Sequence, residues 1–203
     1  MSEIGLRARK TARTREEIAR AAKRVFAKRG YDTATLEDIA AEAEVHKRTL
    51  LRYFPTKTHL ALHGHFAALD AFCAAVQQRE QTPILDVWEA HVVANSRDMM
   101  RRGRLANTRK IAADATELRQ ALLEIQSRYQ RIIAVELARD LGRSPASDIL
   151  TRVAAAALVG GNFAVGAMVM QSEAYAELAR CELEVIRIVR EGLLRRTKKT
   201  VTG

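Results

Sequence analysis

Residues 35–57, TLEDIAAEAEVHKRTLLRYFPTK, constrain the fold of this chain more than any other stretch. Thr35 is a favoured helix N-cap, and the acidic side chain three residues later can complete a capping box. A second short helix should start near His46 or Lys47. Pro55 should end it, because proline disfavours helical geometry in the residue before it. The pattern predicts two short helices joined by a tight turn.

The second predicted helix is apolar on one side and polar on the other. Leu50 and Phe54 are spaced to face a core, and the other positions carry Lys47, Arg48, Thr49, Arg52 and Tyr53. This layout is typical of a helix-turn-helix DNA-binding motif over about residues 35–54. Lys47 and Arg48 then lie in the first turn, which usually reaches base edges, while Thr49 and Tyr53 can hold phosphates. A surface hairpin with a solvated charged face is the alternative.

A further helix is predicted before this pair. Thr14 stands three residues before Glu17, as in a capping box, and Gly30 is placed to end the helix in left-handed conformation. One face between them is apolar at helical spacing, with Ile18, Ala22, Val25 and Phe26. We therefore predict a three-helix domain over residues 14–57. Residues 1–13 would form a basic flexible arm that lies along a phosphate backbone or enters a minor groove, or a solubilising tail.

Taken together, these residues resemble the N-terminal domain of the tetracycline-repressor (TetR) family of bacterial transcriptional regulators. The resemblance covers about residues 14–60 and rests on Ile18, Ala21, Ala22, Phe26, Gly30, Tyr31, Thr35, Ile39, Ala40, Ala43, Val45, Thr49, Leu50, Tyr53, Phe54 and Lys57. It implies an all-α fold of about nine helices and double-stranded DNA as a partner. It also implies DNA contacts at Thr35, along His46–Thr49, at Tyr53 and at Lys57, which would open the fourth helix and grip a phosphate.

Three positions depart from the pattern of the family. Glu44 replaces a glycine common in the turn, and a positive φ there would cost roughly 1 kcal/mol for a residue with a side chain. His46 replaces the usual Ser or Thr cap of the second motif helix, and Leu51 replaces a common tyrosine with its phosphate-binding hydroxyl. These departures leave the basic surface in place.

Composition agrees with a helical, nucleic-acid-binding protein. The chain has 203 residues, 48% of them hydrophobic, and only three prolines, without runs of alternating β-branched residues. Its net charge of +10 suits a polyanionic partner. Residues 1–57 contain 14 Lys and Arg against 8 Asp and Glu, a local charge of +6. The charge is therefore concentrated where the DNA-binding motif is predicted.

The rest of the chain is predicted to form a helical regulatory and dimerisation domain over residues 58–197, followed by a tail at 198–203. One long helix should run from Thr58 to about Glu80, where Pro83 follows. Further helices are expected at 84–101, around 105–112, at 117–141, from a Ser147 cap to Met170, and from Glu173 to about Arg195.

Two of these helices are predicted to form a dimer interface. The segment Val153–Met170 is apolar on nearly every face, so we expect it to be buried on both sides rather than to cross a membrane. The last helix has an apolar stripe at helical spacing. Two chains would then form a four-helix bundle through Val153, Gly160, Leu178, Cys181, Val185 and Ile188. The alternative is that both stripes are covered within one chain.

A small-molecule effector is expected from the resemblance, between the long middle helices. The candidate pocket residues are Trp88, Asn95, Met99 and Phe163, of which Asn95 is a polar group on an apolar stripe. A hydrogen-bonded core amide is an equally good interpretation of Asn95. Residues 117–143 also resemble the C-terminal domains of family members that sense acyl thioesters or other apolar metabolites, so the predicted effector is small and apolar or of acyl type.

Other classes of function have little support in the sequence. It contains no glycine-rich phosphate loop and no nucleophile motif, so we predict neither an enzyme nor a cofactor. His59, His63 and His65 could form a metal site, but no cysteine or carboxylate lies at helpful spacing, and no metal is predicted.

The predicted location is the bacterial cytoplasm, on the nucleoid when operator is bound. Two cysteines are too few for a disulfide framework, and the first thirty residues lack the apolar core of a signal peptide. The predicted function is a ligand-responsive repressor, a homodimer released from a palindromic operator by its effector. The alternative is a basic helical adaptor that binds DNA without sequence preference.

Overall fold

The computed structural model describes residues 3–101, 115–172 and 175–200, with the side chains of 9–98, 115–169 and 176–193. Within these ranges the regular structure is entirely helical, which confirms the predicted all-α class. The described residues form nine α-helices and one short 3-10 helix, Tyr175–Glu177. The α-helices are α1 Glu3–Arg29, α2 Leu36–Glu42, α3 Lys47–Tyr53, α4 Lys57–Ala61, α5 His63–Gln77, α6 Ile84–Arg101, α7 Thr116–Asp140, α8 Ile149–Ser172 and α9 Leu178–Thr200. The helix predicted around 105–112 lies outside the described residues.

The chain forms two compact units. In described residues, the first contains 3–66 and 115–121, and the second contains 67–101, 122–172 and 175–200. The first unit buries one face of each of its short helices around the apolar side of α1. Its most deeply buried side chains are Ile18, Ile39, Leu50, Phe54, Leu60, Leu62 and Leu118. The spacing of Ile18, Leu50 and Phe54 in the sequence had predicted their burial.

The predicted start of the first helix at Thr14 is wrong, because α1 begins at Glu3. Residues 6–13 are rich in Arg, Lys and Ala, which favour helix, and no proline interrupts them. Thr14 therefore lies inside a helix and cannot cap one. Glu17 instead forms an ion pair of 2.9 Å with Arg13, one helical turn away. Residues 3–13, assigned to a flexible arm, are the first turns of α1, and their contact with DNA stays a prediction.

The turn between α2 and α3 is fixed by caps at both ends of α2. The predicted capping box is confirmed, since Thr35 Oγ1 accepts from the Asp38 N–H at 3.1 Å and the Asp38 carboxylate accepts from the Thr35 N–H at 3.1 Å. At the other end, the Val45 N–H donates to the Ala40 carbonyl and the Glu44 N–H to the Ala41 carbonyl. This pattern is a Schellman motif. Its left-handed residue is Glu44, with φ of 54°, at the position where the resemblance implies a glycine.

The prediction of one helix from Thr58 to about Glu80 is wrong at Leu62. This residue has φ −100° and ψ 17°, and it separates α4 from α5. Gly64 follows within the next turn, and glycine is about 1 kcal/mol less favourable than alanine in a helix, so continuous helix is weakest here. The second helix also ends early, at Gln77.

The second unit is held by an aromatic core and a partly buried ion network. The rings of Phe72, Trp88, His91 and Tyr129 lie with centroids 5.1–5.5 Å apart. The Arg79 guanidinium bridges Glu136 at 3.0 Å and Asp140 at 2.7 Å, and Asp140 also accepts from the Ile84 N–H at 2.7 Å. This network ties the turn before α6 to the end of α7.

The N-terminal cap of α8 is Asp148 rather than the predicted Ser147. The Asp148 carboxylate accepts from the Thr151 N–H at 3.2 Å, because it stands at the position from which a side chain reaches the first free amides. Within the described residues, Ile149–Val169 is long and apolar enough to cross a membrane by length and composition, with a mean hydropathy of 1.5. Within one chain 33% of this segment is buried, and the burial expected on its other side, against a partner, stays a prediction.

We expect Glu44→Gly to raise the free energy of unfolding by about 0.5–1 kcal/mol, because glycine adopts positive φ without steric cost. The greater conformational freedom of glycine in the unfolded chain cancels part of this stabilisation. Urea denaturation of purified protein measures this change. Glu44→Ala is the matched control, since it removes the carboxylate but keeps the Cβ atom, and it should not stabilise. Equal stability of the Gly and Ala variants would contradict the strain argument.

Candidate nucleic-acid interface and interior polar cluster

Helix α3 presents its polar side because its apolar side is anchored. Leu50 and Phe54 are fully buried, and the Arg15 guanidinium lies 5.3 Å from the Phe54 ring centroid. His46, Lys47, Arg48 and Arg52 are consequently exposed, with Thr49 and Tyr53 partly exposed between them. We call α3 the recognition helix. Its predicted DNA-contacting residues share one solvent-facing surface.

These side chains differ in how far they are already engaged. Lys47 pairs with Glu37 of α2, and this hydrogen bond lowers the pKa of the Glu37 carboxyl. The Arg52 guanidinium lies over the Tyr53 ring, 5.2 Å from its centroid. Among the described residues no hydrogen bond or ion pair involves the Arg48 side chain. Arg48 is therefore the cation of the first helical turn whose donors are uncommitted.

Thr35 and His46 stand at the two helix starts of the motif. The Thr35 hydroxyl donates to the Asp38 carboxylate at 2.7 Å while accepting from the Asp38 N–H. Its hydrogen is thus already used in capping α2. His46 is the N-cap of α3 but forms no side-chain cap hydrogen bond, as its replacement of Ser or Thr suggested.

Lys57 has a structural role that the sequence did not disclose. Its ammonium donates to the carbonyls of Tyr31 at 2.9 Å, Asp32 at 3.3 Å and Ala34 at 3.2 Å. It also lies 4.4 Å from the centroid of the Tyr31 ring. An ammonium has three N–H donors, and all three are committed to the loop between α1 and α2. A phosphate contact by Lys57 must share donors with that loop.

Tyr31 is the buried centre of this loop. Its hydroxyl lies 3.0 Å from Thr58 Oγ1 and donates to the Glu117 carboxylate at 3.2 Å. Burial, ahead of its hydrogen bonds, raises the pKa of Tyr31, so the hydroxyl stays protonated. One side chain thus connects the end of α1, the start of α4 and the first turn of α7 within the first unit.

Two of the candidate effector residues, Trp88 and Phe163, lie in or beside the aromatic core of the second unit. Trp88 is buried within it, and Phe163 is 6.4 Å from the Tyr129 ring, centroid to centroid. Asn95 is partly exposed on α6, and the Met99 side chain lies outside the described residues. Burial lowers the pKa of His91 to about 4, so this member of the aromatic core is neutral at physiological pH. Trp88 and Phe163 are brought together through Tyr129.

A polar cluster that sequence reasoning missed lies beside these residues. We call Ser96, Asn162 and Glu182, with Trp88, the interior polar cluster. The Trp88 indole N–H donates to Asn162 Oδ1 at 2.9 Å, and Asn162 Nδ2 donates to the Glu182 backbone carbonyl at 2.9 Å. Ser96 Oγ lies against the Glu182 carboxyl and 2.8 Å from the Val92 carbonyl. The cluster joins α6, α8 and α9.

The state of Glu182 depends on burial more than on Ser96. The Ser96 hydroxyl has one hydrogen, which the Glu182 carboxyl and the Val92 carbonyl share as acceptors. Glu182 is only 8% exposed, and burial raises its pKa to about 7, although the hydrogen bond from Ser96 acts in the opposite direction. A sequence signal existed, since Glu182 stands four residues from both Leu178 and Ile186 on the buried stripe of α9.

The predicted dimer residues fall into two groups. Val153 and Ile188 are 59% and 57% exposed, and Gly160, Cys181 and Val185 are partly exposed. Leu178 is 1% exposed and packs inside its own chain. Gly161 allows α8 and α9 to approach closely, because a Cβ atom there would lie 2.6 Å from Val185 Cγ1. The exposed apolar surface of α8 and α9 is therefore narrower than the predicted interface.

His59 and His63, considered as metal ligands, make aromatic contacts instead. His59 stacks on Phe66 with ring centroids 4.4 Å apart, and His63 meets the edge of Phe54 at 6.2 Å. In the part of the chain that the structure describes, no group of three or more potential ligands forms a metal site.

A three-helix unit whose last two helices are joined by a capped turn, with the second helix basic and exposed, defines the class of helix-turn-helix proteins. Residues 18–63 match the family of bacterial regulatory proteins of the tetR family. The match falls within the N-terminal domain, on the residues from which the resemblance had been predicted.

One curated relative extends the match beyond the motif. The HTH-type transcriptional regulator TcmR of Streptomyces glaucescens is 44% identical over 75 residues, which are 37% of this chain and 33% of that protein. The chain thus matches about a third of the length of this relative.

Solved structures share the whole fold. SmeT of Stenotrophomonas maltophilia, in complex with triclosan, has a TM-score of 0.65 and 21% identity, covering 88% of this chain and 90% of its own. The fatty acid degradation regulator FadR from Bacillus halodurans has a TM-score of 0.61 and 20% identity, covering 87% and 94%. At these identities the likeness concerns the fold alone.

Glu182 should make stability fall as pH rises. Its pKa is about 7 in the folded protein against 4.5 as a free side chain, so between these values the folded state holds a proton that the unfolded state has lost. The resulting loss in the free energy of unfolding is complete above about pH 7 and amounts to about 3 kcal/mol at most. Glu182→Gln, whose amide can donate to Ser96 without ionising, should remove this loss between pH 5 and 8.

Urea denaturation at pH 5 and pH 8 measures the effect. Glu184→Gln is the matched control, because Glu184 lies on the same helix but is exposed and paired with Arg187. It should retain the fall in stability. If the free energy of unfolding changes between pH 5 and pH 8 by the same amount in the wild-type protein and in the Glu182→Gln variant, the raised pKa of Glu182 is contradicted.

Proposed function

We propose that this chain is a sequence-specific, DNA-binding transcriptional repressor that acts as a homodimer on a palindromic operator and is released by a small apolar or acyl-type effector. The observation that carries the proposal is the exposed Arg48, uncommitted in the first turn of the recognition helix of a tetR-family domain. An arginine at such a position can form two hydrogen bonds to guanine in the major groove. The protein would act in the cytoplasm, on the nucleoid.

The neighbouring residues are suited to hold the DNA backbone. Thr49 and Tyr53 offer hydroxyls beside Arg48, and Arg52 offers a cation. Contacts of this kind fix the position of a protein on the duplex without reading sequence. His46 would lie at the same surface. The division of labour proposed is base reading by Arg48 and positioning by the residues around it.

Dimerisation is supported by apolar side chains that one chain leaves exposed. Ile149, Val153 and Met168 of α8 are 59–73% exposed, and α9 adds Ile188. Their burial between two chains would contribute roughly 25 cal/mol for each Å² of apolar surface removed from water. The proposed occupant is a second copy of the chain, because Gly160 and exposed alanines of α8 would let two such helices approach closely.

A dimer also meets a requirement of DNA reading. A single three-helix module contacts few base pairs, whereas two modules related by a two-fold axis read half-sites about one helical turn apart. The symmetry of the dimer is then repeated in the operator. A palindrome is the sequence that such a dimer selects.

The effector is proposed to bind in the second unit, near the aromatic core and the predicted residues Trp88, Asn95, Met99 and Phe163. SmeT, a protein of the same fold, was solved with triclosan, and an apolar effector would suit aromatic surroundings. Effector binding would displace α4, whose first residue, Lys57, holds the loop leading to Thr35. The separation of the two recognition helices would change, so effector and operator would weaken each other's binding by the same factor.

The proposal is tested by selecting bound sequences from a random pool of DNA duplexes with the purified protein. We expect an enriched palindrome for the wild-type protein. Arg48→Ala should reduce discrimination at one position of each half-site by about 1–3 kcal/mol. Salt-sensitive binding without any enriched sequence would instead indicate a basic adaptor that binds DNA non-specifically.

The proposed dimer is tested by Val153→Glu, which places a charge on the exposed face of α8. We expect a monomer by sedimentation and loss of palindrome binding, because an unpaired carboxylate in an apolar interface is costly to desolvate. Leu123→Glu is the matched control, since Leu123 is also an exposed apolar residue, at 64%, but lies on α7. A Val153→Glu protein that remains dimeric would refute the proposed interface.

A further inference from the structure

Helix α2 carries three acidic side chains, and each one is paired with a cation of a neighbouring helix. Asp38 pairs with Arg29 at 2.6 Å, and Glu42 pairs with Arg24 at 2.6 Å. Both of these cations belong to α1. Glu37 alone pairs with the recognition helix, through Lys47.

This pair is too exposed to serve mainly as a stabilising contact. The side chains of Lys47 and Glu37 are 49% and 62% exposed, and ion pairs of that kind contribute little to folding because water and salt screen them. Its effect on an approaching polyanion is larger. A carboxylate beside Lys47 cancels the attraction of that ammonium for phosphate, and it repels phosphate wherever the lysine moves away.

We propose that Glu37 is a specificity-determining residue of the DNA-binding surface, which withholds Lys47 from the phosphate backbone and leaves Arg48 as the uncompensated cation of the first turn. This inference rests on the proposed function. Non-specific affinity depends on the number of phosphates that cations neutralise, whereas base discrimination depends on side chains at base edges. A carboxylate that neutralises Lys47 therefore lowers the non-specific affinity and leaves the base discrimination unchanged.

The physical consequence is a higher ratio of specific to non-specific binding. In the absence of the Glu37 charge, Lys47 would contact a phosphate on any duplex and strengthen binding to all sequences alike. Arg48 would read the same base as before. Glu37 thus acts through Lys47 and does not itself need to touch DNA.

The test compares Glu37→Gln with Glu42→Gln in the full-length protein. Both substitutions remove one carboxylate of the same helix and one exposed ion pair, but only Glu37→Gln releases a cation of the recognition helix. Binding is measured to a duplex without the selected palindrome and to the selected palindrome, across a series of salt concentrations. Circular dichroism verifies that both variants are folded.

For Glu37→Gln we expect binding to the non-palindromic duplex to tighten by about fivefold more than for Glu42→Gln, and log K to fall with log salt more steeply by about 0.9, the value for one added phosphate contact. The enriched palindrome should stay the same, with a smaller preference over other sequences. Equal affinities and equal salt slopes for the two variants would overturn the inference.

A double-mutant cycle separates Lys47 from general charge effects. Lys47→Ala should weaken non-specific binding only slightly in the wild-type background and several-fold in the Glu37→Gln background. Equal losses in both backgrounds would overturn the inference while leaving the proposed function intact. If the wild-type protein selects no sequence, the proposed function fails by that result alone. A protein that binds neither duplex would refute both.

Discussion

The structure of the N-terminal unit depends on one partly buried cation, the side chain of Lys57. The Lys57 ammonium satisfies three carbonyls of the loop between α1 and α2 and lies against the Tyr31 ring. Charge-assisted hydrogen bonds of this kind are stronger than neutral ones, and here they add to the contacts of the Tyr31 hydroxyl with Thr58 and Glu117. Because the same loop delivers Thr35 to its capping position, the start of α4 determines where α2 begins. The recognition helix follows α2 after a four-residue turn, so its position also depends on this lysine.

The second unit is organised by a different kind of polar interaction. Its cluster is buried among α6, α8 and α9, and every buried side-chain polar atom of the described residues has a partner. Trp88 fixes the orientation of the Asn162 amide by donating to its oxygen, and the amide nitrogen then donates to the Glu182 backbone carbonyl of α9. A fully satisfied network in an apolar interior specifies one register between helices, since sliding by a turn would leave several groups unpaired. The cluster therefore defines the register of α6, α8 and α9 relative to one another. Apolar packing alone would specify this register less strongly.

Much of the motif was predictable from sequence, because capping and periodicity are local. Thr35 capping α2 and the burial of Leu50 and Phe54 followed from short-range patterns. The positive φ at Glu44 was only one of the two outcomes that the resemblance allowed at this turn. Features that depend on distant partners were not predictable in this way. The start of α1 was misplaced because the spacing of Thr14 and Glu17 suits a capping box but also occurs inside a longer helix. The loop contacts of Lys57 were missed because the carbonyls it binds lie 23–26 residues away, and its phosphate contact stays a prediction from the resemblance.

The apolar stripe of α9 shows the same limit, because spacing in the sequence does not tell which side of a helix its distant partners cover. Sequence spacing favoured Leu178, Cys181, Val185 and Ile188 as one face, but the face that is buried within the chain contains Leu178, Glu182 and Ile186. An acid at an inward position was passed over because charged residues usually mark the solvent side. Val185 packs against Gly161 of α8, and Ile188 is exposed on the other side of α9. The apolar surface that α9 leaves for the proposed second copy of the chain is therefore smaller than the predicted stripe.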